Sequence, residues 1–249
     1  MKAMVLCAGM GTRLGGLTRE TPKPLLPVGG EPLLAHTLRH LAWHGFTDVV
    51  VNVHYRAEQF FSTIGSGECY GVRVTYSHEP ALLGTAGSVR HVAGFFSREP
   101  VFLVMHGDVL TDQNLTAMRD FHLAHASPAT ILLQRIPNAN SQVALDLDGR
   151  ITGFVERPAP GARRTSGFPW VNTGVYLFAE RFLDRIPATG PSDFARDIFV
   201  RAPEVELFGF ALTGYRVSID SPEEYREANA AISEGRCPRA RGTAQNLRQ

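Results

Sequence analysis

The sequence predicts an α/β protein built on a mixed, mostly parallel sheet that helices cover on both faces. Short apolar segments rich in β-branched residues alternate with segments of helical apolar spacing through the first half of the chain. A chain of 249 residues is also long enough to bury a sizeable core as one large domain. In such folds ligands bind at the carboxyl ends of the strands.

The alternation gives the elements of the first half. The predicted strands are residues 3–7, 48–53, 72–76 and 101–105. The predicted helices are residues 32–43, 57–64, 84–96 and 112–126. Asp112 is the expected cap of the last of these helices.

The second half is richer in strands. They are predicted at residues 130–135, 142–146, 151–155, 171–178, 206–211 and 215–219, with a hairpin turn at Asp148-Gly149-Arg150. Helices are expected at residues 192–200 and 222–232. The pattern therefore predicts one domain over residues 1–234, divided near residue 126 into a first half and a smaller β-rich half at 127–234. Residues 235–249 are predicted to form a flexible tail.

Composition limits the functional classes. The 25 Lys and Arg residues balance 24 Asp and Glu, which gives no electrostatic reason to expect nucleic acid or a membrane surface as a partner. Cys7, Cys69 and Cys237 are isolated thiols without metal-ligand spacing, as expected in a reducing compartment. Neither a signal peptide nor a run of membrane-helix length is apparent, so a cytoplasmic protein is expected.

The most informative stretch follows the first strand. Glycines at 9, 11, 15 and 16 allow the backbone to come close to a ligand, and consecutive amide groups in such a turn attract anions. Arg13 offers a planar fork for phosphate oxygens, and Pro22 and Pro24 restrict the backbone around Lys23. The stretch is neither a Walker A loop nor a dinucleotide fingerprint, because Leu14 stands where the third glycine would be. It predicts a polyphosphate site.

Two further segments end strands. Leu83–Gly87 opens a helix, whose N-terminal amide groups suit polar or anionic atoms. His106-Gly107-Asp108 follows the strand at 101–105, where a carboxylate is well placed to hold Mg²⁺.

The whole stretch from Leu6 to Val28 resembles the signature of the nucleotidyltransferases that make nucleotide sugars, and the resemblance covers about residues 2–230. It implies a Rossmann-like, glycosyltransferase-A-like fold with a nucleotide-binding first half and a sugar-binding second half. It also implies that Arg13, Lys23 and Asp108 are catalytic, with Arg13 on the β- and γ-phosphates, Lys23 on the α-phosphate and Asp108 on Mg²⁺. The loop residues implied to bind nucleotide are Leu6, Ala8, Gly9, Gly11 and Thr12.

The same resemblance suggests how the base and sugar are held. The segment from Glu79 to Gly87 looks like the one that receives the base, through Glu79, Gly84, Thr85 and Gly87. Its Leu-Gly-Thr-Ala-Gly form resembles guanylyltransferases that make GDP-mannose and GDP-heptoses, which favours GTP. Similarity to the Glu-Lys-Pro and Val-Asn-Thr-Gly segments of the family implies a sugar-phosphate site at Glu156, Arg157, Asn172 and Thr173.

Two departures from the family pattern stand out. Asn140-Ser141-Gln142 replaces a Tyr-Gly-Val string whose glycine lines the sugar pocket. Ser218 replaces the aspartate that is a second metal ligand, while Asp220 lies two residues later on the same strand face. Asp220 is therefore predicted either to bind Mg²⁺ with Asp108 or to cap the helix that opens at Pro222, with Ser221 as the rival cap.

The predicted reaction is transfer of a nucleoside monophosphate from an NTP, best GTP, to a sugar 1-phosphate, with release of pyrophosphate. Two alternatives remain open. Asp220 also fits a cytidylyltransferase for phosphocholine or a phosphonate, and Ser218 fits a non-catalytic nucleotide-sensing subunit. The sequence leaves the oligomeric state open, with a homodimer as one candidate.

Overall fold

The computed structural model describes residues 1–136, 141–156 and 169–237. Its α-helices are α1 Leu33–Trp43, α2 Ala57–Ile64, α3 Gly84–His91, α4 Leu115–Ala124, α5 Ala202–Val205 and α6 Pro222–Glu234. Its strands are β1 Lys2–Leu6, β2 Pro27–Val28, β3 Glu31–Pro32, β4 Asp48–Val53, β5 Arg73–His78, β6 Val101–His106, β7 Val109–Thr111, β8 Ala129–Arg135, β9 Gln142–Leu145, β10 Ile151–Val155, β11 Trp170–Ala179, β12 Leu207–Ala211 and β13 Arg216–Ser218. The predicted α/β class with a mixed, mostly parallel sheet is confirmed.

The chain forms two compact units that alternate along the sequence. Unit 1 contains Met1–Leu82, Met105–Asn114 and the chain from residue 213 onward, and unit 2 contains Leu83–Val104 and Leu115–Leu212. Residue 126, near which the sequence predicts a division into two halves, lies within unit 2, and that division stays a prediction. The short strands β7 and β13 pair although about a hundred residues separate them in the sequence, and this pairing brings the C-terminal part of the chain into unit 1. The local sequence pattern did not indicate it.

Unit 1 is organised by three parallel strands. β4 pairs with β1 on one side and β5 on the other, so that Leu6, Asn52 and Ser77 lie at the same edge of the sheet. The middle residues of β1 and nearly all of β4 are buried, as expected for strands covered on both faces. α1 buries its apolar face through Leu34, Leu38 and Leu41, whose spacing matches the helical period.

A second cluster of unit 1 forms around α6. Ala228 and Ile232 of α6 pack with Ile219, Leu110 and other apolar residues of the loop and hairpin segments, namely Leu14, Leu26, Val28, Leu33 and Cys237. α6 ends at Gly235, which takes the left-handed conformation that favours glycine. Because Cys237 is fully buried, packing continues beyond the predicted boundary at 234. The rest of the predicted tail lies outside the described residues.

Unit 2 has a mixed sheet and an aromatic core. β8 pairs antiparallel with β11 and parallel with β12, and β9 pairs antiparallel with β10. The predicted turn at Gly149 joins β9 to β10, and its φ of 81° explains the glycine. Phe178 stacks on Phe182 and Phe194 with ring centroids 4.3 and 4.9 Å apart, so β11 is the centre of this core.

Three helix predictions were wrong in extent or type. The segment predicted as a helix at 192–200 forms a π-turn at Phe194–Ile198 and a 3₁₀ turn at Phe199–Arg201. α3 stops at His91 and gives way to a 3₁₀ turn at Ala93–Phe96. α4 starts only at Leu115, because β7 occupies the preceding residues and Asp112 accepts a hydrogen bond from the Tyr215 amide instead of capping a helix there.

None of the helices in the described ranges is long and apolar enough to cross a membrane.

Candidate active site

The glycine-rich loop leaves the carboxyl end of β1 and is fixed there by hydrogen bonds. The Cys7 amide donates to Oδ1 of Asn52 over 2.7 Å, and the Leu6 carbonyl accepts from the Gly107 amide over 2.9 Å. Ala8 is buried beside them, whereas the Thr12 side chain is exposed. The loop residues predicted to bind nucleotide therefore follow directly from a rigid strand end.

Gly11 has a packing role in this loop. It adopts a φ of 64°, and its carbonyl accepts the Thr18 hydroxyl over 2.9 Å. A Cβ at this position would lie 3.2 Å from the Cβ of Lys23, whereas a Cβ at Gly9 would meet no neighbour within 4 Å. Gly11 thus allows the loop to lie against Lys23, and Gly9 leaves open backbone.

Lys23 lies at the centre of the site. It begins a 3₁₀ turn at Lys23–Leu25, and its side chain is only 8% exposed. Its Nζ donates to Oδ2 of Asp108 over 2.8 Å and to Oδ1 of Asp220 over 2.7 Å. One ammonium group therefore holds the two carboxylates close to each other, although their positions in the sequence are far apart.

Antiparallel pairing of β7 with β13 brings Asp220 to Asp108. Ser218 lies opposite Val109 in this ladder, and the Ile219 amide continues it by donating to the Asp108 carbonyl over 2.9 Å. The strand pair ends at this point, so that Asp108 and Asp220 follow from two neighbouring strand ends. The sequence indicated the two residues as a pair but not the strand pairing that joins them.

The cap of α6 is Ser221 and not Asp220. The Ser221 hydroxyl accepts from the Glu224 amide over 3.2 Å, and the Glu224 carboxylate accepts from the Asp220 amide over 2.8 Å. This arrangement resembles a capping box, except that Glu224 accepts from the amide of the residue before the cap. It satisfies the helix terminus without the Asp220 carboxylate, which leaves that group to the cations of the site.

Arg13 completes the charged cluster. Its Nη2 lies 2.9 Å from Oδ1 of Asp220, the same oxygen that accepts from Lys23, and its side chain is 63% exposed. Ser218, by contrast, accepts a hydrogen bond from Nη2 of Arg216 over 3.1 Å. The cluster of Arg13, Lys23, Asp108 and Asp220, here called the charge cluster, presents cations and carboxylates together at the end of the glycine loop.

The electrostatics keep Asp108 ionised. Burial pushes the pKa of Asp108 upward, but the Lys23 ammonium and the Arg216 guanidinium outweigh it, and the pKa falls below its ordinary value. Burial also lowers the pKa of His106 despite the opposing charge of Asp108, so its imidazole is neutral at neutral pH. Asp108 is thus an anion ready to accept a cation or a hydrogen-bond donor.

The charge cluster fits a divalent cation with oxygen ligands. Oδ1 of Asp108 is buried and has no hydrogen-bond partner among the described residues. Asp220 contributes a second carboxylate beside it. Mg²⁺ prefers oxygen ligands, and it usually keeps waters and shares phosphate oxygens, so that two carboxylates can be enough to hold it.

Gly107 and Cys7 form the floor below Asp108. A Cβ on Gly107 would lie 2.5 Å from the Cys7 sulfur and 3.0 Å from the Leu6 carbonyl oxygen. Burial raises the pKa of the Cys7 thiol well above its usual value, and the Asp108 charge adds to that effect. Cys7 is therefore an unreactive core residue, and only glycine fits at position 107.

Glu79 is buried and hydrogen-bonded within the protein. Its side chain is 1% exposed, and Nδ2 of Asn52 donates to its Oε1 over 2.9 Å. Since Oδ1 of the same Asn52 accepts from the Cys7 amide, Glu79 supports the start of the glycine loop through Asn52. The polar Asn52 in an otherwise apolar strand indicates this link between Glu79 and the glycine loop, which was not predicted.

Three amides of the Leu83–Gly87 segment have acceptors within the protein. The Ala86 and Gly87 amides donate to the Ser192 carbonyl over 2.8 and 3.0 Å, and the Thr85 amide donates to Oδ1 of Asp193 over 3.1 Å. A Cβ on Gly84 would lie 2.5 Å from the Ser192 carbonyl oxygen. The glycines here allow residues 190–193 to pack against the helix terminus, which the sequence did not predict.

The predicted sugar residues differ in their availability. Thr173 is 1% exposed, and its hydroxyl donates to the Leu132 carbonyl over 2.7 Å, so its sugar contact stays a prediction. Asn172 is half-buried, with Nδ2 donating to the Tyr176 hydroxyl and Oδ1 accepting from the Gly174 amide, both over 3.0 Å. These bonds fix the amide group at a bulge of β11, between Asn172 and Tyr176.

Glu156 has a neighbour that the sequence analysis did not assign. The Ser141 hydroxyl donates to Oε2 of Glu156 over 2.7 Å. Ser141 belongs to the string that departs from the family pattern, and it touches the carboxylate predicted to bind sugar. Arg157 and Asn140 lie outside the described residues.

The sequence matches the model of the family described as Nucleotidyl transferase over residues 2–207. The chain belongs to the nucleotidyl transferase family. The residues of the glycine loop, Asp108, Glu156 and Asn172 all lie within the matched range of this family member, whereas Asp220 lies beyond it.

Relatives of this family member carry several specificities. It is 31% identical to a mannose-1-phosphate guanylyltransferase of Mycobacterium tuberculosis over 241 residues, which cover 95% of this chain and 66% of the relative. It is 32% identical to a UTP–glucose-1-phosphate uridylyltransferase of Synechocystis over 234 residues, which cover 88% of this chain and 58% of the relative. The chain thus spans about three fifths of the length of these curated relatives.

A solved structure shares the fold of this family member. HddC from Yersinia pseudotuberculosis, crystallised with GMP-PN, superposes with a TM-score of 0.75 at 21% identity, and the match covers 93% of this chain and 99% of that one. The likeness confirms the α/β nucleotidyltransferase fold.

Proposed function

We propose that the protein transfers a nucleoside monophosphate from an NTP to a sugar 1-phosphate, giving a nucleoside diphosphate sugar and pyrophosphate. The observation that carries this proposal is the charge cluster, in which Lys23 lies between Asp108 and Asp220 and Arg13 pairs with Asp220. Cations beside ionised carboxylates, at the end of a glycine loop, suit the phosphates of an NTP and its divalent ion.

The chemistry needs positioning more than proton transfer. An oxygen of the acceptor phosphate forms a bond to the α-phosphorus, and the bond from that phosphorus to the β-phosphate oxygen breaks, with the electron pair leaving on pyrophosphate. Because the acceptor phosphate is already ionised, no general base has to remove a proton. The work of the site is then to align the two phosphates and to neutralise charge.

Each residue of the charge cluster has a role in this proposal. Lys23 orients the α-phosphate through its ammonium group, and Arg13 binds the β- and γ-phosphates with its fork. Asp108 and Asp220 hold Mg²⁺, which supplies charge neutralisation at the phosphates when it is bound. The neutral His106 adds no charge that would compete with these contacts.

The proposed donor is GTP. The Leu83–Gly87 string resembles the guanylyl group, and a relative that is 31% identical is a mannose-1-phosphate guanylyltransferase. A uridylyltransferase relative at 32% identity makes UTP the main competitor. For the acceptor, Glu156 and Asn172 are proposed to bind sugar hydroxyls and Arg157 the sugar phosphate, whereas the buried Thr173 supports the strand.

The proposed location of the protein is the cytoplasm. Cys7, Cys69 and Cys237 form no disulfide with one another, which suits the reducing cytoplasm. A homodimer is the proposed assembly, and light scattering at several protein concentrations measures it directly.

A pyrophosphate-release screen tests the function. GTP, UTP, dTTP, CTP and ATP are each paired with mannose 1-phosphate, glucose 1-phosphate, a heptose 1-phosphate and phosphocholine. We expect the highest kcat/KM with GTP and a sugar 1-phosphate. Highest activity with CTP and phosphocholine would support the cytidylyltransferase instead, which the Asp220 geometry also suits. Nucleotide binding without pyrophosphate release from any pair would support a sensing subunit.

A further inference from the structure

We propose that Lys23 is the resident counter-ion of the Asp108–Asp220 carboxylate pair, and that a divalent cation gains this pair only when a nucleotide's phosphates draw the ammonium away. The Lys23 ammonium contacts both carboxylates directly, at 2.8 and 2.7 Å. The inference rests on the proposed function only for the nucleotide that completes the exchange.

The contacts leave little room for a divalent cation while Lys23 stays in place. Oδ2 of Asp108 and Oδ1 of Asp220 both accept from Lys23, and Oδ1 of Asp220 also faces Arg13 at 2.9 Å. An ion bound through Oδ1 of Asp108 would lie beside an ammonium group that is itself buried. The divalent cation and the Lys23 ammonium are both positive, and neighbouring like charges repel strongly where little water screens them. Lys23 and a divalent cation therefore compete for the same two carboxylates.

Charge balance shows when the exchange is favourable. The four groups of the charge cluster sum to zero. The Arg216 charge acts on Asp108, and the Glu224 carboxylate, which accepts from the Asp220 amide, balances it. A divalent cation alone would add two positive charges to this setting. An NTP itself carries about four negative charges, which exceed the two positive charges of its ion. Lys23 and Arg13 therefore gain phosphate partners as the carboxylates gain the cation.

The choice of lysine at this position supports such an exchange. Only two of the 25 Lys and Arg residues are lysines, Lys2 and Lys23, in a chain that otherwise uses arginine. An ammonium group on a flexible stem is compact enough to fit between two carboxylates and can turn to a phosphate, whereas the planar guanidinium group has a fixed fork. Lys23 is therefore suited to alternate between two sets of partners.

Binding of Mn²⁺ without nucleotide, followed by EPR, tests the proposal. We expect Lys23→Met to bind Mn²⁺ at least about tenfold more tightly than wild type, because the competing charge is gone. Lys2→Met is the matched control and leaves Mn²⁺ affinity unchanged. The double variant Lys23→Met/Asp220→Asn loses the gain. A folded Lys23→Met protein that binds Mn²⁺ no more tightly than wild type would overturn the proposal.

A second measurement uses the wild-type protein and does not depend on how a variant folds. With ¹⁵N-labelled lysine, NMR reports only two side-chain ammonium groups, those of Lys2 and Lys23. Millimolar Mg²⁺ alone should leave the Lys23 signal in place, and Mg²⁺ with GTP or UTP should shift it. Loss or shift of that signal with Mg²⁺ alone would contradict the exchange.

These outcomes are separate from those of the proposed function. A gain in Mn²⁺ affinity for Lys23→Met stands even if no pair of substrates releases pyrophosphate. Conversely, a wild-type protein that makes a nucleotide sugar while Lys23→Met shows no gain would remove this inference and leave the function intact.

Discussion

Gly84 gives a prediction whose magnitude follows from geometry. Replacing it with alanine places a Cβ 2.5 Å from the Ser192 carbonyl oxygen, at a residue whose φ is 74°. The left-handed conformation costs an L-residue about 1 kcal/mol. The carbonyl must also move, although it accepts from the Ala86 and Gly87 amides, and weakening those two bonds costs about 1 kcal/mol each. Gly84→Ala should therefore lower the free energy of unfolding by about 3 kcal/mol.

Gly190→Ala is the matched control for this experiment. Gly190 has a φ of 85°, but a Cβ there meets no neighbour within 4 Å, so only the cost of about 1 kcal/mol for the backbone conformation applies. Urea denaturation followed by circular dichroism measures both variants. Equal stabilities for Gly84→Ala and Gly190→Ala would refute the packing role, and a raised KM for the NTP with unchanged stability would indicate that Gly84 serves the ligand.

Three further predictions concern single side chains. Arg13→Ala should lower kcat for pyrophosphate release on the order of a hundredfold, because a phosphate contact of about 3 kcal/mol is lost. The unfolding midpoint should barely change, because the Arg13 side chain is exposed. An unaltered kcat would contradict the phosphate role. Ser221→Ala should cost about 1 kcal/mol of stability, because the capping bond to the Glu224 amide is lost; unchanged denaturation would show that another group caps α6. Burial lowers the pKa of His122 to about 4, and a nearby arginine adds a smaller effect in the same direction. As the pH falls, the unfolded chain takes up the proton before the folded protein does, so the free energy of unfolding should drop by about 3 kcal/mol between pH 6.5 and 4. His122→Gln should flatten that slope and the exposed control His125→Gln should not, which denaturation at several pH values decides.

Local pattern was enough to predict most of the fold. The predicted strands of the first half and the helices α1 and α2 appear close to their expected bounds, because apolar spacing decides both the element and its buried face. The failures are at the end of α3, at β7 with the start of α4, and at residues 192–200. β7 is three residues long and is defined by its pairing with β13, which no local window contains. The turns after Ser192 are shaped by their packing against α3.

The residues of the site could be predicted from their types and positions, whereas their hydrogen-bond and ion-pair partners could be predicted less well. Arg13, Lys23, Asp108 and Asp220 do come together, as charge and position at strand ends suggested. The sequence did not indicate that the Thr85, Ala86 and Gly87 amides have acceptors within the protein, and the base contact of this segment stays a prediction. An amide at a helix terminus suits an anion only if no other acceptor reaches it first, and here Ser192 and Asp193 do.

The central claim is that Asp108 and Asp220 act together on a divalent cation at the phosphates. Turnover of Asp220→Asn as a function of Mg²⁺ concentration tests it most directly, with Glu223→Gln, in an exposed ion pair of the same helix, as the control. Asp220→Asn should lose turnover on the order of a hundredfold, for about 3 kcal/mol, and require more Mg²⁺ for half-maximal rate, whereas Glu223→Gln should match wild type. Wild-type turnover and Mg²⁺ dependence in folded Asp220→Asn would contradict the claim.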